Sequence, residues 1–317
     1  MVCHSCRAEA QKFGFFTGTN RERIQRYRCR QCRKTFGDIP ERPMESMYTS
    51  VEDAARVVHL LVEGVGVRAC ERLTGINRNT VLRILETVGA KCARLLDHKV
   101  QFIQVRHVQI DELWAYVFCK QKHSGGDCER GDQYTFLALD HDSKLIISYA
   151  IGKRDKHTAR AFLRDVRKRV TNRCQLSTDG FAAYSGYEGA VFDAFKLDVD
   201  FGTVTKLYQS PPMQGAARYS PAICTGARRE VQIGSLHEKS ICTSHVERQN
   251  LNMRLFNRRM TRLTLGYSKK LRNLHYAVAM QVAFHNFCRV HSAHKQTPAM
   301  AAGLTDHQWT IEELLKA

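Results

Sequence analysis

The sequence predicts an α/β protein whose main sheet is mixed, preceded by a small cysteine-containing module and a helical segment. Four cysteines near the start form two closely spaced pairs, and apolar residues from 51 to about 100 recur with the period of a helix. After residue 100, three strand-like runs give way to an alternation of helix and strand. This order is typical of a mixed sheet covered by helices.

Composition limits the class of protein. A chain of 317 residues that is 43% hydrophobic can bury a sizeable core and has room for two or three domains. It lacks the roughly 18 uninterrupted apolar residues that a membrane span requires, and its first residues lack the apolar stretch of a secretion signal. We therefore expect a cytoplasmic protein without a membrane partner, whose 12 cysteines are mostly reduced.

The net charge of +18, with a sequence pI near 9.6, favours a polyanionic partner. The positive charge is clustered, because ten Lys and Arg occur from Arg248 to Lys295, whereas no Asp or Glu occurs between Glu247 and Asp306. This clustering favours nucleic acid, and a generally basic protein is the alternative.

The first module contains Cys3, Cys6, Cys29 and Cys32, two Cys-x-x-Cys pairs separated by 22 residues. Four thiolates in this pattern can form a tetrahedral site for one structural Zn²⁺, which a segment of about 40 residues needs in order to fold. Four unrelated reduced cysteines are the alternative. The prolines of residues 40–43 indicate the linker that follows. Cations around the second pair suggest phosphate contact; they are Arg21, Arg23, Arg26, Arg28, Arg30, Arg33 and Lys34.

Helical periodicity predicts three helices, at 52–64, 66–75 and 76–96, the last capped by Asn77. The last two are joined by a tight turn containing Gly75, which is the helix-turn-helix arrangement whose second helix enters the major groove of DNA. A plain helical bundle is the alternative. The side chains placed to contact base edges are Arg78, Asn79 and Arg83. The predicted apolar stripe of the third helix is Val81, Ile84, Leu85, Val88, Cys92 and Leu95.

The rest of the chain predicts strands at 105–118, 133–140 and 144–152, a helix at 157–170 and a strand at 174–180. Further strands are expected at 191–195 and 200–208, before a loop that contains proline and glycine.

Two aspartates stand out on these strands. Asp111 lies in a strand with two largely apolar faces, where an ionised carboxylate is costly unless a cation or hydrogen bonds compensate it. The adjacent Glu112 is a weaker candidate ligand on the opposite face. Asp179 ends its strand just before Gly180, where open sheets commonly place ligands. Its alternative role is to cap a helix at 181–187.

Glu247 is the third candidate acid, at the head of the cationic segment. Ser244 and Glu247 fit a capping box, which is the alternative to a chemical role. A helix here has an apolar stripe that can face the sheet and an opposite polar stripe. The polar stripe is Glu247, Asn250, Arg254 and Arg258, and the apolar one is Met253, Phe256 and Met260.

Asp111, Asp179 and Glu247 could hold two Mg²⁺ or Mn²⁺ ions, which prefer oxygen ligands and support in-line phosphoryl transfer. The sequence contains no Ser-His-Asp motif, phosphate-binding glycine loop or GxGxxG, so the commonest competing enzyme classes are excluded.

The order of the cysteine pairs, the helix-turn-helix, IDELWAYV, STDGFAAY, SHVERQNLNMR and GYSKKLRNL resembles bacterial insertion-sequence DDE transposases, most of all the insertion-sequence-one family. The resemblance covers most of the chain. It implies a ribonuclease H-like core with catalytic acids at Asp111, Asp179 and Glu247, and Mg²⁺-dependent cutting and joining of double-stranded DNA. Arg254 matches a basic position of that helix, and residues 285–304 resemble the segment that closes integrase-type cores.

The resemblance implies a zinc ribbon at 1–43, a helix-turn-helix domain at 44–100, a catalytic core at 101–305 and a tail at 306–317. An insertion is expected around 188–243, and it leaves Glu188, Asp193, Glu230 and Glu238 as alternative third acids. By analogy, we expect a homodimer or higher oligomer on DNA, associated with the bacterial nucleoid. A regulator with a decayed core and a ribonuclease H-type nuclease are the rival interpretations.

Overall fold

The computed structural model describes residues 1–3, 6, 8–17, 23–37, 44, 47–209 and 223–317. The predicted linker at 40–43, Arg21 and most of the loop that follows residue 208 lie outside the described residues. The chain divides into two compact units, Met1–Tyr48 and Thr49–Ala317. The finer domain boundaries stay predictions.

The first unit contains a three-stranded antiparallel sheet in the order β1-β2-β3. Its strands are β1 (Ala10–Thr17), β2 (Arg23–Cys29) and β3 (Thr35–Gly37). The pairing of β1 with β2 shifts around Gly14, whose φ of 77° suits a residue without a Cβ. The guanidinium groups of Arg23 and Arg28 lie over the exposed rings of Phe15 and Phe13.

The second unit begins with the three predicted helices, α1 (Val51–Val62), α2 (Val67–Thr74) and α3 (Arg78–Lys99). Asn77 caps α3 as predicted, because its Oδ1 accepts the N–H of Asn79 at 2.9 Å. Gly75 ends α2 with a φ of 72°. All six residues of the predicted apolar stripe of α3 are buried, so the helical prediction is confirmed.

A six-stranded mixed sheet follows, in the order β6-β5-β4-β7-β8-β9, which confirms the predicted α/β class. The strands are β4 (His107–Val117), β5 (Gly131–Asp140), β6 (Ile146–Gly152), β7 (Gln175–Asp179), β8 (Asp200–Gln209) and β9 (Ile223–Ile233). β4, β7 and β8 run parallel to one another, and the other neighbours pair antiparallel. The central β4 therefore has β5 on one side and β7 on the other.

The described part of the chain contains six further α-helices. They are α4 (Lys156–Arg169), α5 (Ala190–Phe195), α6 (Ser244–Phe256), α7 (Leu271–Ala283), α8 (Pro298–Ala301) and α9 (Ile311–Lys316). Of these, α4 and α6 pack on the sheet. Phe162 of α4 contacts Phe136, which pairs with Glu112 of β4, whereas Asn250 of α6 bonds to Asp111. Neighbouring residues of a strand face opposite ways, so α4 and α6 lie on opposite faces of the sheet.

Two local predictions are wrong. Residues 191–195 form the helix α5 rather than a strand, because a short apolar run has no period that separates a strand from a buried helix. Residues 181–187 form turns rather than a helix. Asp179 therefore caps no helix there, and its Oδ1 instead accepts the N–H of Phe181 at 3.0 Å in a local turn.

Within the second unit, helix α7 connects the helices α1–α3 to the six-stranded sheet. A Cβ added to Gly89 of α3 would lie 2.4 Å from the Cβ of Tyr276 on α7, so the two helices approach as closely as only glycine permits. Beyond α7, Asn286 bonds to both the N–H and the carbonyl of Ile146 on β6. The expected tail contributes α9, which packs on α1 and α3. The start of α3 thereby has a defined place relative to the sheet.

Candidate active site

The two predicted strand acids come together at the centre of the sheet. Asp111 lies in the middle of β4, and Asp179 ends the parallel β7. The register pairs Gln109 with Ser177, so two residues further along Asp111 and Asp179 are level on one face. Carboxylate oxygens of Asp111, Glu112 and Asp179 all lie within 4.8 Å of one another.

Asp111 is half-buried beneath α6. Its Oδ1 accepts the N–H of Glu112 at 2.9 Å, and its Oδ2 accepts the Nδ2 of Asn250 at 2.8 Å. Burial, together with the charges of Asp179 and Glu247, raises the pKa of Asp111 to about 6, although these two hydrogen bonds act to lower it. A proton or another cation therefore stabilises this carboxylate near neutral pH.

Glu112 is more important to the geometry than sequence reasoning suggested, since strand alternation directs it to the other face. Its side chain is only 2% exposed, and Arg154 bridges it to Asp179: Nε donates to Glu112 at 3.0 Å and Nη2 to Asp179 at 3.1 Å. The Tyr184 hydroxyl donates to the other oxygen of Glu112. Burial and the charge of Asp179 raise the pKa of Glu112 to about 7. Because β7 ends at Asp179, this edge of β4 is open to side chains from both faces.

Gln109 positions α6 over the face that carries Asp111. Its Oε1 accepts the N–H groups of His245 and Val246 at 2.9 and 3.2 Å. The predicted capping box is wrong, because Thr243 is the N-cap residue and Ser244 is already helical. Gln109 from the neighbouring strand satisfies the first amides of the helix, a role that a local cap usually has.

Glu247 lies in the first turn of α6, outside the 4.8 Å group formed by the other three acids. Its Oε1 accepts the Thr243 hydroxyl at 2.7 Å, and its Oε2 accepts the ammonium of Lys206 from β8. Lys206 shares a face with Asp179, since Asp179 pairs with Val204. No sequence pattern pointed to Lys206, which lies in the exposed half of β8.

The alternative third acids pair with cations elsewhere. Glu188 bonds to Lys156 at 3.1 Å, Asp193 to Arg164 at 2.7 Å and Glu230 to Arg228. Among the residues that the structure describes, neither these acids nor Glu238 joins the acidic group on β4 and β7.

The donors on β4 and β7 fit a hard cation such as Mg²⁺ or Mn²⁺, because all are carboxylate oxygens. Beside them, the Oδ1 of Asn250 is buried without a hydrogen-bond partner and offers one more oxygen. Glu247 would have to break its ion pair with Lys206 before it could act as a further ligand at this site.

The four predicted thiols of the first unit also come together, with Cys3, Cys6, Cys29 and Cys32 within 4.8 Å of one another. The sulfur–sulfur distances are 3.6 Å for Cys3 and Cys32 and 3.4 Å for Cys6 and Cys29. The N–H of Cys32 donates to Cys29 and lowers the pKa of Cys29 to about 6. A closed set of four cysteine sulfurs fits tetrahedral Zn²⁺.

The residues predicted to contact DNA are not on one element. Arg78, Asn79 and Arg83 are exposed on the first two turns of α3. Arg254 is half-buried on α6, and its Nη1 is buried without a hydrogen-bond partner. Arg258 lies beyond α6, which ends at Phe256, so its place on the polar stripe of that helix was predicted wrongly. The chain becomes extended at Asn257.

The raised pKa values of Asp111 and Glu112 predict a pH-dependent response to Mg²⁺. The folded protein holds these protons more tightly than the unfolded chain, whose values are near 3.8 and 4.5. The stability from both groups is present below about pH 4 and is lost as the pH rises through 6 and 7. We expect Mg²⁺ to raise the melting temperature little at pH 5 and most at pH 8, because it competes with these protons. Calorimetry with EDTA or Mg²⁺ at each pH measures this, and a pH-independent rise would contradict it.

No protein-family model matches the chain. Among the described residues, no helix combines the length and the apolar character that crossing a membrane requires.

Proposed function

We propose that the protein is a metal-dependent phosphoryl transferase that acts on nucleic acid. One observation carries this proposal: Asp111 and Asp179 lie level on adjacent parallel strands, beneath a helix that holds Glu247 and Asn250 over them. Clustered acids beside Arg154, Lys206 and Arg254 suit a cation that meets a phosphate. The net charge of +18 gives the whole chain affinity for a polyanion.

Within that class, the protein is proposed to be a DDE transposase of the insertion-sequence-one type. Support comes from the quoted motifs and from the sheet, in which an antiparallel β4-β5-β6 meander continues through the parallel β7 and β8. This is the arrangement expected of a ribonuclease H-like core, and β9 adds a strand beyond it. The substrates are then transposon ends and target DNA, held by a dimer or higher oligomer in the bacterial nucleoid.

Each side chain of the candidate site has a separate role in the proposed phosphoryl transfer. Asp111, Asp179 and Glu247 would hold two Mg²⁺ or Mn²⁺ ions, with Glu112 as a further oxygen donor. Ions held there would supply the Lewis acidity that activation of a water or 3′-hydroxyl and stabilisation of the leaving oxygen require. Arg154 orients Asp179 through its bridge to Glu112, which Tyr184 holds in place. Arg254 follows on the same helix, where its positive charge is near Asp111 and suits a phosphate group.

The other two segments are proposed to recognise DNA. The unit Met1–Tyr48 is a zinc ribbon held by its four cysteines, with stacked Arg23 and Arg28 beside it. The start of α3 presents Arg78, Asn79 and Arg83 to the major groove.

The test is a strand-transfer assay on duplex DNA taken from the ends that flank the gene. Wild-type protein with Mg²⁺ should nick these ends and join them to target DNA. Glu247→Gln should lower both rates by about a thousandfold, because the substitution removes a negative ligand, and should leave DNA binding unchanged. Glu238→Gln makes the same charge change on the exposed turn before α6 and should cleave normally.

Each failure has a distinct meaning. Binding without any Mg²⁺-dependent cleavage by the wild type would favour the regulator with a decayed core. Cleavage without joined products would favour a nuclease. Unchanged cleavage by Glu247→Gln would remove Glu247 from the site.

A further inference from the structure

Two leucines that follow α6 are almost fully exposed to solvent, which is unusual for apolar side chains. Leu263 and Leu265 are 106% and 90% exposed, in the irregular segment Arg258–Gly266. Leu263 also has a φ of 56°, a conformation that costs a non-glycine residue energy and that is concentrated at functional sites. Burial of these two side chains against a partner would be favourable, because it would remove their apolar surface from water.

The surroundings of the leucines are cationic. The segment contains Arg258, Arg259 and Arg262, and no Asp or Glu occurs in the chain between Glu247 and Asp306. Burial lowers the pKa of Arg259 to about 10. Within the described ranges, none of these three arginines forms an ion pair with a carboxylate. Arg258 and Arg262 are exposed, so their charges are left for an external anion.

A groove of about 870 Å³ opens beside the segment and reaches the start of α3. Its walls come from α2, the first turns of α3, α7 and the segment itself, all within the second unit. The lining contains no acid, and its cations are Arg68, Arg72, Arg78, Arg258, Arg259 and Lys269. Leu265 lies at its edge, with Tyr267 beyond it.

We propose that the segment Arg258–Gly266 is a wedge that inserts Leu263 and Leu265 between base pairs of DNA while the adjoining groove binds the phosphate backbone. Apolar side chains flanked by arginines are the pair of features that such insertion uses, since the arginines hold the backbone and the apolar groups unstack a base step. The occupant is DNA rather than a second copy of this chain, because another cationic surface would be repelled.

This inference rests on the proposed function, and α6 sets its distance from the acids. From Glu247 to Phe256 the helix advances nine residues, or about 14 Å at 1.5 Å per residue. At 3.4 Å per base pair, this length corresponds to about four base pairs between the unstacked step and the phosphate that is cut.

The test places 2-aminopurine, whose fluorescence rises when it is unstacked, at successive positions of an end-sequence duplex. Wild-type protein should raise the fluorescence several-fold at one step about four base pairs from the cut. The variant Leu263→Asn with Leu265→Ser should lose that rise and bind about tenfold more weakly. Asn is chosen because it tolerates the backbone conformation of Leu263.

Leu197→Ser removes another exposed leucine, which lies between α5 and β8, and should behave as the wild type. Persistence of the fluorescence rise in the double variant would overturn the wedge even if cleavage proceeds normally. A double variant that changes its sedimentation without DNA and keeps the rise would assign the leucines to contact between copies. Wild-type protein that unstacks the step yet never cleaves would contradict the proposed function and keep the wedge.

Discussion

Asp111→Asn is expected to abolish Mg²⁺-dependent cleavage, lowering its rate by at least a thousandfold, which corresponds to about 4 kcal/mol of lost transition-state stabilisation. Asp111 is the acid that contacts the other components of the site, because it lies level with Asp179, beside Glu112 and against Asn250. An amide there keeps the shape and loses the charge that holds a cation. Single-turnover cleavage of end-sequence DNA measures the loss.

The variant should fold, and this separates a chemical from a structural effect. Asn250 can turn its amide so that its unpartnered Oδ1 accepts from the new side-chain N–H of Asn at 111. In EDTA at pH 8 we expect a melting temperature equal to or above that of the wild type, since a half-buried carboxylate with a raised pKa has been removed. Mg²⁺ should no longer raise it.

Asp198→Asn is the matched control, because Asp198 pairs with Arg167 near the amino-terminal end of β8, away from the acids. It should cleave at the wild-type rate. Cleavage by Asp111→Asn at that rate would exclude the proposed site.

Loss of one thiol should release the zinc and unfold the first unit. In Cys29→Ser we expect about one Zn²⁺ per chain to fall to none, because three ligands cannot close the tetrahedral site. Binding of zinc by four thiolates contributes about 10–16 kcal/mol to the folding of such modules. The amides of β1–β3 should lose their protection from hydrogen exchange, while Thr49–Ala317 retains its own.

Cys224→Ser is the control for this change, since Cys224 is an exposed thiol of β9 outside the cluster. It should retain zinc. Freshly purified wild-type protein that contains no zinc would contradict the proposed ribbon.

Local sequence pattern was sufficient to predict an element when the residues of that element carry the signal themselves. Asn77 and Gly75 mark the ends of two helices, and the stripe from Val81 to Leu95 is buried as its period predicts. It was insufficient at 191–195, where a short apolar run is compatible with a strand and with the helix that forms.

The candidate site shows the same difference between what local sequence pattern predicts and what it does not. Asp111 and Asp179 could be identified because a charge in an apolar strand and an acid at a strand end are visible in one dimension. The participation of Lys206 and Arg154 could not, because each reaches the acids from a strand or loop distant in sequence. Glu112 was only a weaker candidate, because strand alternation directs it to the face opposite Asp111. The start of α6 was misread for a related reason, since Gln109 replaces the cap that Ser244 was expected to supply.

By itself, the sequence determined the mixed α/β class, the two cysteine pairs, the cationic segment after Glu247 and the two strand acids. These follow from residue type and spacing along one stretch of chain. The tertiary structure was needed to show that Asp179 of β7 lies level with Asp111 of β4, that α6 lies over them and that Leu265 lines a groove with the start of α3. Contacts between distant segments depend on the packing of whole elements, which no local spacing encodes.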